Sequence, residues 1–255
     1  MKKIIVISDL HAGHCLGFAR PPFNPRREEL IPLRKEFYEW FKAELGSVGS
    51  VDYCFNLGDN TDGEGKRGNM YHDTTDVGEQ IDEAIEILKM IPAKKHVMVY
   101  GTDYHTGRIL EYEKVIAEKL GCDIRSEQRV SVNGVKFNLA HQIGKSGVPR
   151  GGDIQVRTKQ LQTILDDVLN SNKGIADIVI RGHAHEWRYV ENALGIGIIC
   201  PAMKLGLKDY EPYARKIGGY YTVGFLEFNV NSADDFGLKK HFFKYKLGNG
   251  GYRKL

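Results

Sequence analysis

Asp9 and His11 stand two residues apart, immediately after the apolar run Ile4-Ile5-Val6-Ile7. Similar groups recur in similar settings along the chain. Asp59 follows Leu57-Gly58, His105 closes Gly101-Thr102-Asp103-Tyr104-His105, His141 follows Leu139-Ala140, and His183 and His185 share Gly182-His183-Ala184-His185. Each lies at or just past the end of a short β-branched or apolar run. In an α/β protein the carboxyl ends of strands open onto a common rim, where ligands bind. Carboxylates and imidazoles gathered on such a rim can hold a transition metal and activate water for hydrolysis.

Taken singly, these signals are weak. Asp-x-His at a strand end brings both side chains within reach of one ion, because the chain turns there and the pleat no longer separates them. Gly58-Asp59, however, is also an ordinary turn dipeptide, and a lone histidine is more often a satisfied structural group. The combination says more, since five of the nine histidines fall in these strand-end segments. His14, His72, His96 and His241 lie outside the pattern and are assigned structural or surface roles.

The elements that must position these groups alternate. Residues 3–8 read as a strand and about 27–45 as a helix, with Leu30, Leu33, Phe37, Trp40 and Phe41 near helical spacing. A strand at 51–57 precedes a helix at about 76–90, which Asp73, Thr74 or Thr75 would cap. A third strand spans 96–100, and a helix at 108–120 can close on Gly121. The pattern then changes. Asn133-Gly134 between two alternating runs predicts a hairpin over Arg129 to Leu139. A helix is expected at about 153–170, with Leu161, Ile164, Leu165 and Val168 in phase, and the strand Ile175–Ile180 leads into Gly182-His183-Ala184-His185. Segments 196–200, 219–230 and 236–246 read as strands. This order suggests two packed sheets with helices outside. The segment Ala12 to Arg26 contains Arg20-Pro21-Pro22-Phe23-Asn24-Pro25, which cannot be helical. It reads either as a specificity loop near the rim or as an irregular surface excursion.

The bulk composition bounds the rest. A chain of 255 residues, 42% apolar and 27% charged, is expected to form a single globular domain over 1–255, with a strand-rich, basic part at about 219–255. No apolar stretch approaches the roughly 20 residues that span a bilayer. The apolar run after Met1-Lys2-Lys3 is too short for a signal peptide. The four cysteines are scattered without Cys-x-x-Cys spacing, so a reduced, cytoplasmic protein without a membrane partner is expected. From Phe236 to Leu255 there are six Lys/Arg and no acid. That stretch suits a nucleic-acid or phosphate-rich partner, or else is a strand with a solvated face and a basic tail.

The series Asp9-Leu10-His11, Gly58-Asp59-Asn60, Gly101-Thr102-Asp103-Tyr104-His105, His141 and Gly182-His183-Ala184-His185 resembles the calcineurin-like metallophosphoesterase family. The resemblance implies an α/β fold: a four-layer αββα sandwich of two mixed β-sheets flanked by helices. It also implies two divalent metal ions, Mn first, with Fe, Zn or Mg as alternatives. Asp9, His11, Asp59 and His185 would bind one ion. Asp59, His141 and His183 would bind the other, the Asp59 carboxylate bridging. His105 would be the catalytic histidine at the leaving-group oxygen. One element departs from the family pattern, Gly-Asn-His-Asp/Glu, because no Asn precedes His105. Thr102, Asp103 or water would supply the missing oxygen, and phage-type members carry similar Gly-Thr-x-x-His segments.

The activity so implied is hydrolysis of a phosphate ester by a bridging hydroxide on a dinuclear centre. Arg108, Lys145, Arg150 and Arg181 lie near the motifs and could grip phosphate oxygens; Arg150, beside Gly151-Gly152, is the first choice for substrate binding. The basic C-terminal stretch and the loop at 12–26 favour a phosphodiester, nucleic acid included. A phosphomonoesterase or protein phosphatase, and a catalytically silent metal-binding scaffold of the same fold, stay open. A barrel amidohydrolase would want His-x-His after its first strand, where this chain has Asp-x-His.

Overall fold

The computed structural model describes residues 1–23, 26–64, 71–107, 111–143, 156–163, 175–193, 195–207, 210 and 221–245. Alternation in Lys2–Ile7 (β1) sends Ile5 and Ile7 to one side of a sheet, Ile4 and Val6 to the other, all four fully buried. A strand apolar on both faces must sit centrally with layers on both sides. It does. A six-stranded mixed sheet runs β11-β10-β1-β2-β3-β4, where β2 is Val51–Asn56, β3 Ala93–Val99, β4 Ile124–Arg125, β10 Gly224–Ser232 and β11 Asp235–Phe242. Strands β1 to β4 are mutually parallel, and β10 is antiparallel to both β1 and β11.

The second sheet has five strands in the order β5-β6-β7-β9-β8: Glu127–Val132 (β5), Val135–Ala140 (β6), Ile178–Arg181 (β7), Arg188–Asn192 (β8) and Gly195–Ile199 (β9). The β5–β6 hairpin turns at Asn133-Gly134 with both φ positive, at 46° and 91°, the conformation that matches strand twist in a two-residue loop. Between the sheets lies a core that includes Ile4, Val6, Phe55, Phe137, Leu139, Ile178, Ile180, Leu226 and Phe228. The outer face of the first sheet packs on α1 (Ile31–Val48), α2 (Val77–Lys89) and α4 (Tyr112–Leu120) through Phe37, Phe41, Ile85, Leu88 and Ile116. The outer face of the second sheet meets helical residues 156–163 through Val156, Val190 and Ile199. The result is the expected αββα order of layers.

Several sequence expectations change in detail. The cap of α2 is Asp76, whose side chain accepts from the Glu79 N–H. Asp73 is instead taken by the Arg34 guanidinium and the Arg26 N–H. Leu161 is 49% exposed, while Val156, Gln160 and Thr163 turn inward; Ile164, Leu165 and Val168 lie outside the described residues. Strand β8 was not foreseen, because Arg-Tyr-Val-Glu-Asn offers only one buried apolar residue. Gly121 closes α4 in the left-handed conformation, as its sequence position suggests. Of the segment 12–26, Pro21, Pro22 and Arg26 are exposed, but residues 12–19 are no surface excursion. They are buried, with bridges Ala12↔Thr61, His14↔His72 and Gly17↔Lys204 pinning them. All four cysteines are free, and no described helix is long and apolar enough to cross a membrane.

Candidate metal centre

The loops leaving β1, β2, β3, β6 and β7 at their carboxyl ends meet on one rim. Among the described residues, six non-glycine positions have positive φ. Five of them are Asp9 (56°), His11 (48°), Asp59 (52°), His183 (70°) and His185 (54°); the sixth is Asn133 of the hairpin. A side chain in this left-handed region is uncommon, and such conformations concentrate at functional sites. Here they have a geometric use. Residues two apart in a regular strand share a face but are spaced about 6–7 Å along it. With left-handed turns at both Asp9 and His11, His11 Nε2 comes to 3.9 Å from Asp9 Oδ1.

Three groups result, each with ligand atoms within 4.8 Å of one another: Asp9, His11 and His185; His11, Asp59 and His105; and Asp59, His141 and His183. In the first, His185 Nε2 stands 3.2 Å from Asp9 Oδ1 and 3.2 Å from His11 Nε2, and His11 Nε2 stands 3.9 Å from Asp9 Oδ1. Donors bound about 2.0–2.2 Å from one ion stand roughly 3–3.5 Å apart, so the set fits a cation. Asp9 Oδ1 is buried with no hydrogen-bond partner. Its other oxygen, Oδ2, accepts from Ser8 Oγ at 2.5 Å and the His183 N–H at 3.2 Å.

The second carboxylate is held from three sides. Thr102 donates its N–H (2.7 Å) and Oγ1 (3.1 Å) to Asp59 Oδ1, and His141 Nε2 stands 3.0 Å from Asp59 Oδ2. The approach is so close that a Cβ on Gly101 would lie 2.1 Å from Asp59 Oδ1, and one on Gly182 would lie 2.3 Å from Ser8 Oγ. Glycine is required at both positions for backbone contact.

Partners behind the imidazoles fix their tautomers. His141 Nδ1 donates to the Leu57 carbonyl at 2.7 Å, His105 Nδ1 to the Asp62 carbonyl at 2.8 Å, and His11 Nδ1 to Asp62 Oδ1 at 2.7 Å. Each leaves Nε2 directed at the cluster, as metal-binding histidines require. Burial would lower His141, but the Asp59 and Asp9 carboxylates win and raise it to about 10. His11 goes the other way, to about 4, through burial and repulsion by Lys204 and His105. Burial would raise both Asp9 and Asp59, yet the surrounding imidazoles hold both well below the usual carboxylate range. The site is thus a pair of buried carboxylates among imidazoles, with a proton on His141 where a cation would neutralise them.

Sequence reasoning missed three supporting residues. Asp62 is buried, bonds His11, and has His72 Nε2 at 2.8 Å and Lys204 Nζ at 4.0 Å. Glu113 of α4 accepts from the Asn60 N–H, Asn60 Nδ2 and the Gly101 N–H. Lys204 is 4% exposed. Only Asp62 left a signal, as an acid in the same loop as Asp59; Glu113 and Lys204 arrive from distant segments.

Two candidates stand apart from the clusters. Asp103 is exposed in the short helix α3 (Asp103–Thr106) and belongs to none of the clusters; Thr102 occupies the place beside Asp59. Arg181 is buried, its guanidinium spent on the Asn138 carbonyl, the Asn138 side chain and Thr163, where it ties β6 to helical residues 156–163. Arg108, Lys145 and Arg150 lie outside the described residues. Of the histidines outside the motif pattern, His14, His72 and His241 are buried.

No protein-family model and no curated protein matches this chain. Solved structures similar to it include Vps29 from Entamoeba histolytica, as a single mutant (15% identity, 95% of this chain and 99% of that one, TM-score 0.47). Vps29 from Cryptosporidium parvum is similar at 16% identity, over 96% of this chain and 98% of that one, with a TM-score of 0.47. A metallophosphoesterase from Sphaerobacter thermophilus is similar at 14% identity, over 96% of this chain and 89% of that one, with a TM-score of 0.43. With likenesses this distant, function is argued from the chain's own side chains.

Proposed function

We propose that the protein is a metal-dependent phosphoesterase that hydrolyses a phosphate ester, a diester in preference to a monoester, at a dinuclear centre. The observation that carries this reading is the convergence of Asp9, His11, Asp59, His141, His183 and His185 beside His105, all on one rim. Asp9, His11 and His185 would hold one ion and Asp59, His141 and His183 the other, with Asp59 between them. When bound, such ions polarise phosphoryl oxygens and acidify water towards neutrality. Mn suits this mixed nitrogen and carboxylate set, as do Fe and Zn.

The chain's own residues supply the rest. Neutral Nε2 atoms on His11 and His141 require that His141 give up its proton on loading. His105, with Nδ1 tied to the Asp62 carbonyl, offers Nε2 to the leaving-group oxygen, and protonated there it would neutralise the departing alkoxide. The preference for a diester draws on Lys239, Lys240 and Lys244, exposed on or just after β11. That strand runs parallel to β1 and ends on the same rim.

The test compares an aryl phosphodiester with the matching monoester under Mn, Fe, Zn and Mg. Turnover should require metal and fall about 100-fold or more in Asp59→Asn, the effect expected of a lost shared ligand. His105→Ala should slow turnover with metal content unchanged. Turnover indifferent to Asp59→Asn would refute the assignment, and full metal loading without hydrolysis of either ester would leave a binding scaffold.

A further inference from the structure

Among the described residues only two Phe, Tyr or Trp side chains are exposed, Tyr104 (42%) and Tyr189 (40%), and both flank the candidate metal centre. Tyr104 lies in α3, after β3, with its ring edge-on to His105 at 4.7 Å between centroids. Tyr189 lies one residue into β8, which meets the first sheet at β11. In that sheet β3 is two places from β1 on one side and β11 two places on the other. The two tyrosines therefore bracket the strand that carries Asp9 and His11.

Tyr189 belongs to a larger surface where the edge strands of both sheets come together. Its ring stacks on Trp187 (6.1 Å, 27° between planes), and Trp187 in turn touches Phe242 of β11 at 5.9 Å. Lys240 places Nζ 5.8 Å from the centre of the Trp187 ring, and Lys244 follows, exposed, just past the end of β11. The Tyr189 hydroxyl donates to Glu191 Oε2 at 2.7 Å, which fixes the ring before any ligand arrives. Trp187 is two residues beyond His185, roughly 7 Å at full extension. Rings that served only to close the core would be covered. This arrangement instead leaves a flat π-face in water, beside cations and close to the metal rim. Single strands are held in this way, by bases stacked on aromatic rings and phosphates set against lysines.

We propose that the rim binds a single-stranded nucleic acid laid across the metal centre. A base on one side of the scissile phosphate stacks on the Tyr189–Trp187 surface, a base on the other side meets Tyr104, and Lys240 and Lys244 neutralise the flanking phosphates. This rests on the phosphodiester reading above and deepens it by naming the substrate class. A duplex, whose bases are stacked on one another, has no face to offer these rings.

The chain has two tryptophans, so Trp40→Phe leaves Trp187 as the sole reporter. Its fluorescence, in Zn-loaded and in metal-free protein, should be quenched saturably by oligothymidylate. Anisotropy of a labelled strand on the unmodified chain gives the affinity without that variant. An abasic strand of equal length and charge should bind at least tenfold more weakly, and so should the matching duplex. Tyr104→Ala and Tyr189→Ala, both at exposed positions, should each weaken strand binding about tenfold. Lys240→Ala should flatten the slope of log affinity against log salt by about 0.7. Equal affinity for abasic and base-bearing strands, preference for duplex, or affinity unmoved by both tyrosine variants would overturn the inference. Hydrolysis of an aryl phosphodiester by protein that binds no strand would also overturn it, leaving the phosphoesterase in place. Strand binding without hydrolysis of any ester would support it and remove the phosphoesterase alone.

Discussion

Asp62 does more at the residue scale than its absence from the ligand clusters suggests. Its carboxylate fixes His11 and its carbonyl fixes His105, so one residue sets the tautomer of both a proposed ligand and the proposed catalytic histidine. Burial would raise its pKa, but Lys204, His11 and His72 hold it well below the usual range, ionised throughout the neutral region. Asp62→Asn keeps the shape and the carbonyl while removing the charge that makes His11 a better donor. Affinity for the first ion should fall about 10–100-fold, with the His105 contact intact. Metal titration of the variant checks this, and an unchanged affinity would mean that Asp62 merely fills space.

Helix α4 shows, at the scale of elements, how a distant segment disciplines the rim. Glu113 ties the loop after β2 to the loop after β3 through Asn60 and Gly101, and its carboxyl is pushed up to about 7 by burial and then by the neighbouring Asp59. The folded chain therefore holds this proton more tightly than the unfolded chain. The corresponding stability is complete below the unfolded value of 4.5 and is lost as pH rises through about 7. A shift of this size corresponds to about 3 kcal/mol at most. Denaturant unfolding of the metal-free protein should show stability falling between about pH 5 and 7, and Glu113→Gln, which cannot titrate, should lack that slope. A slope identical in the variant would place its origin elsewhere. Contacts of this kind are also where the sequence fell silent. The strands that deliver ligands were legible because β-branched runs end in Asp or His, and the hairpin because Asn-Gly accepts positive φ. Nothing local to Glu113 or Lys204 marks either as a neighbour of Asp59 or Asp62, more than 50 positions away in sequence. Asp103 was a reasonable candidate ligand by type, but the first turn of α3 carries it outward and leaves the backbone and hydroxyl of Thr102 on Asp59.

Across the whole molecule, the residues proposed to bind the ions, with Thr102 and His105 beside them, are divided between two sheets. Asp9, His11, Asp59, Thr102 and His105 follow strands of the six-stranded sheet, whereas His141, His183 and His185 follow strands of the five-stranded one. What holds the sheets in register is the apolar layer between them, with Phe137 edge-on to Phe55 (5.4 Å) and to Phe228 (5.5 Å). The first cation position needs Asp9 and His11 from one sheet and His185 from the other, so it exists only when that layer is formed. An ion that binds the packed state and not the separated sheets must stabilise the fold by mass action, by about 2.7 kcal/mol at a free concentration 100 times its Kd. For a chain of this size each kcal/mol moves the melting temperature by roughly 2–4 °C. Adding Mn(II) to metal-free protein should therefore raise Tm by about 5–10 °C, and a chelator should reverse it. Tm should continue to climb with concentration beyond saturation, as linkage requires. A Tm indifferent to metal, in protein shown by titration to bind it, would mean that the ligands remain together when the sheets part, and that the division of the site between the two sheets has no energetic consequence.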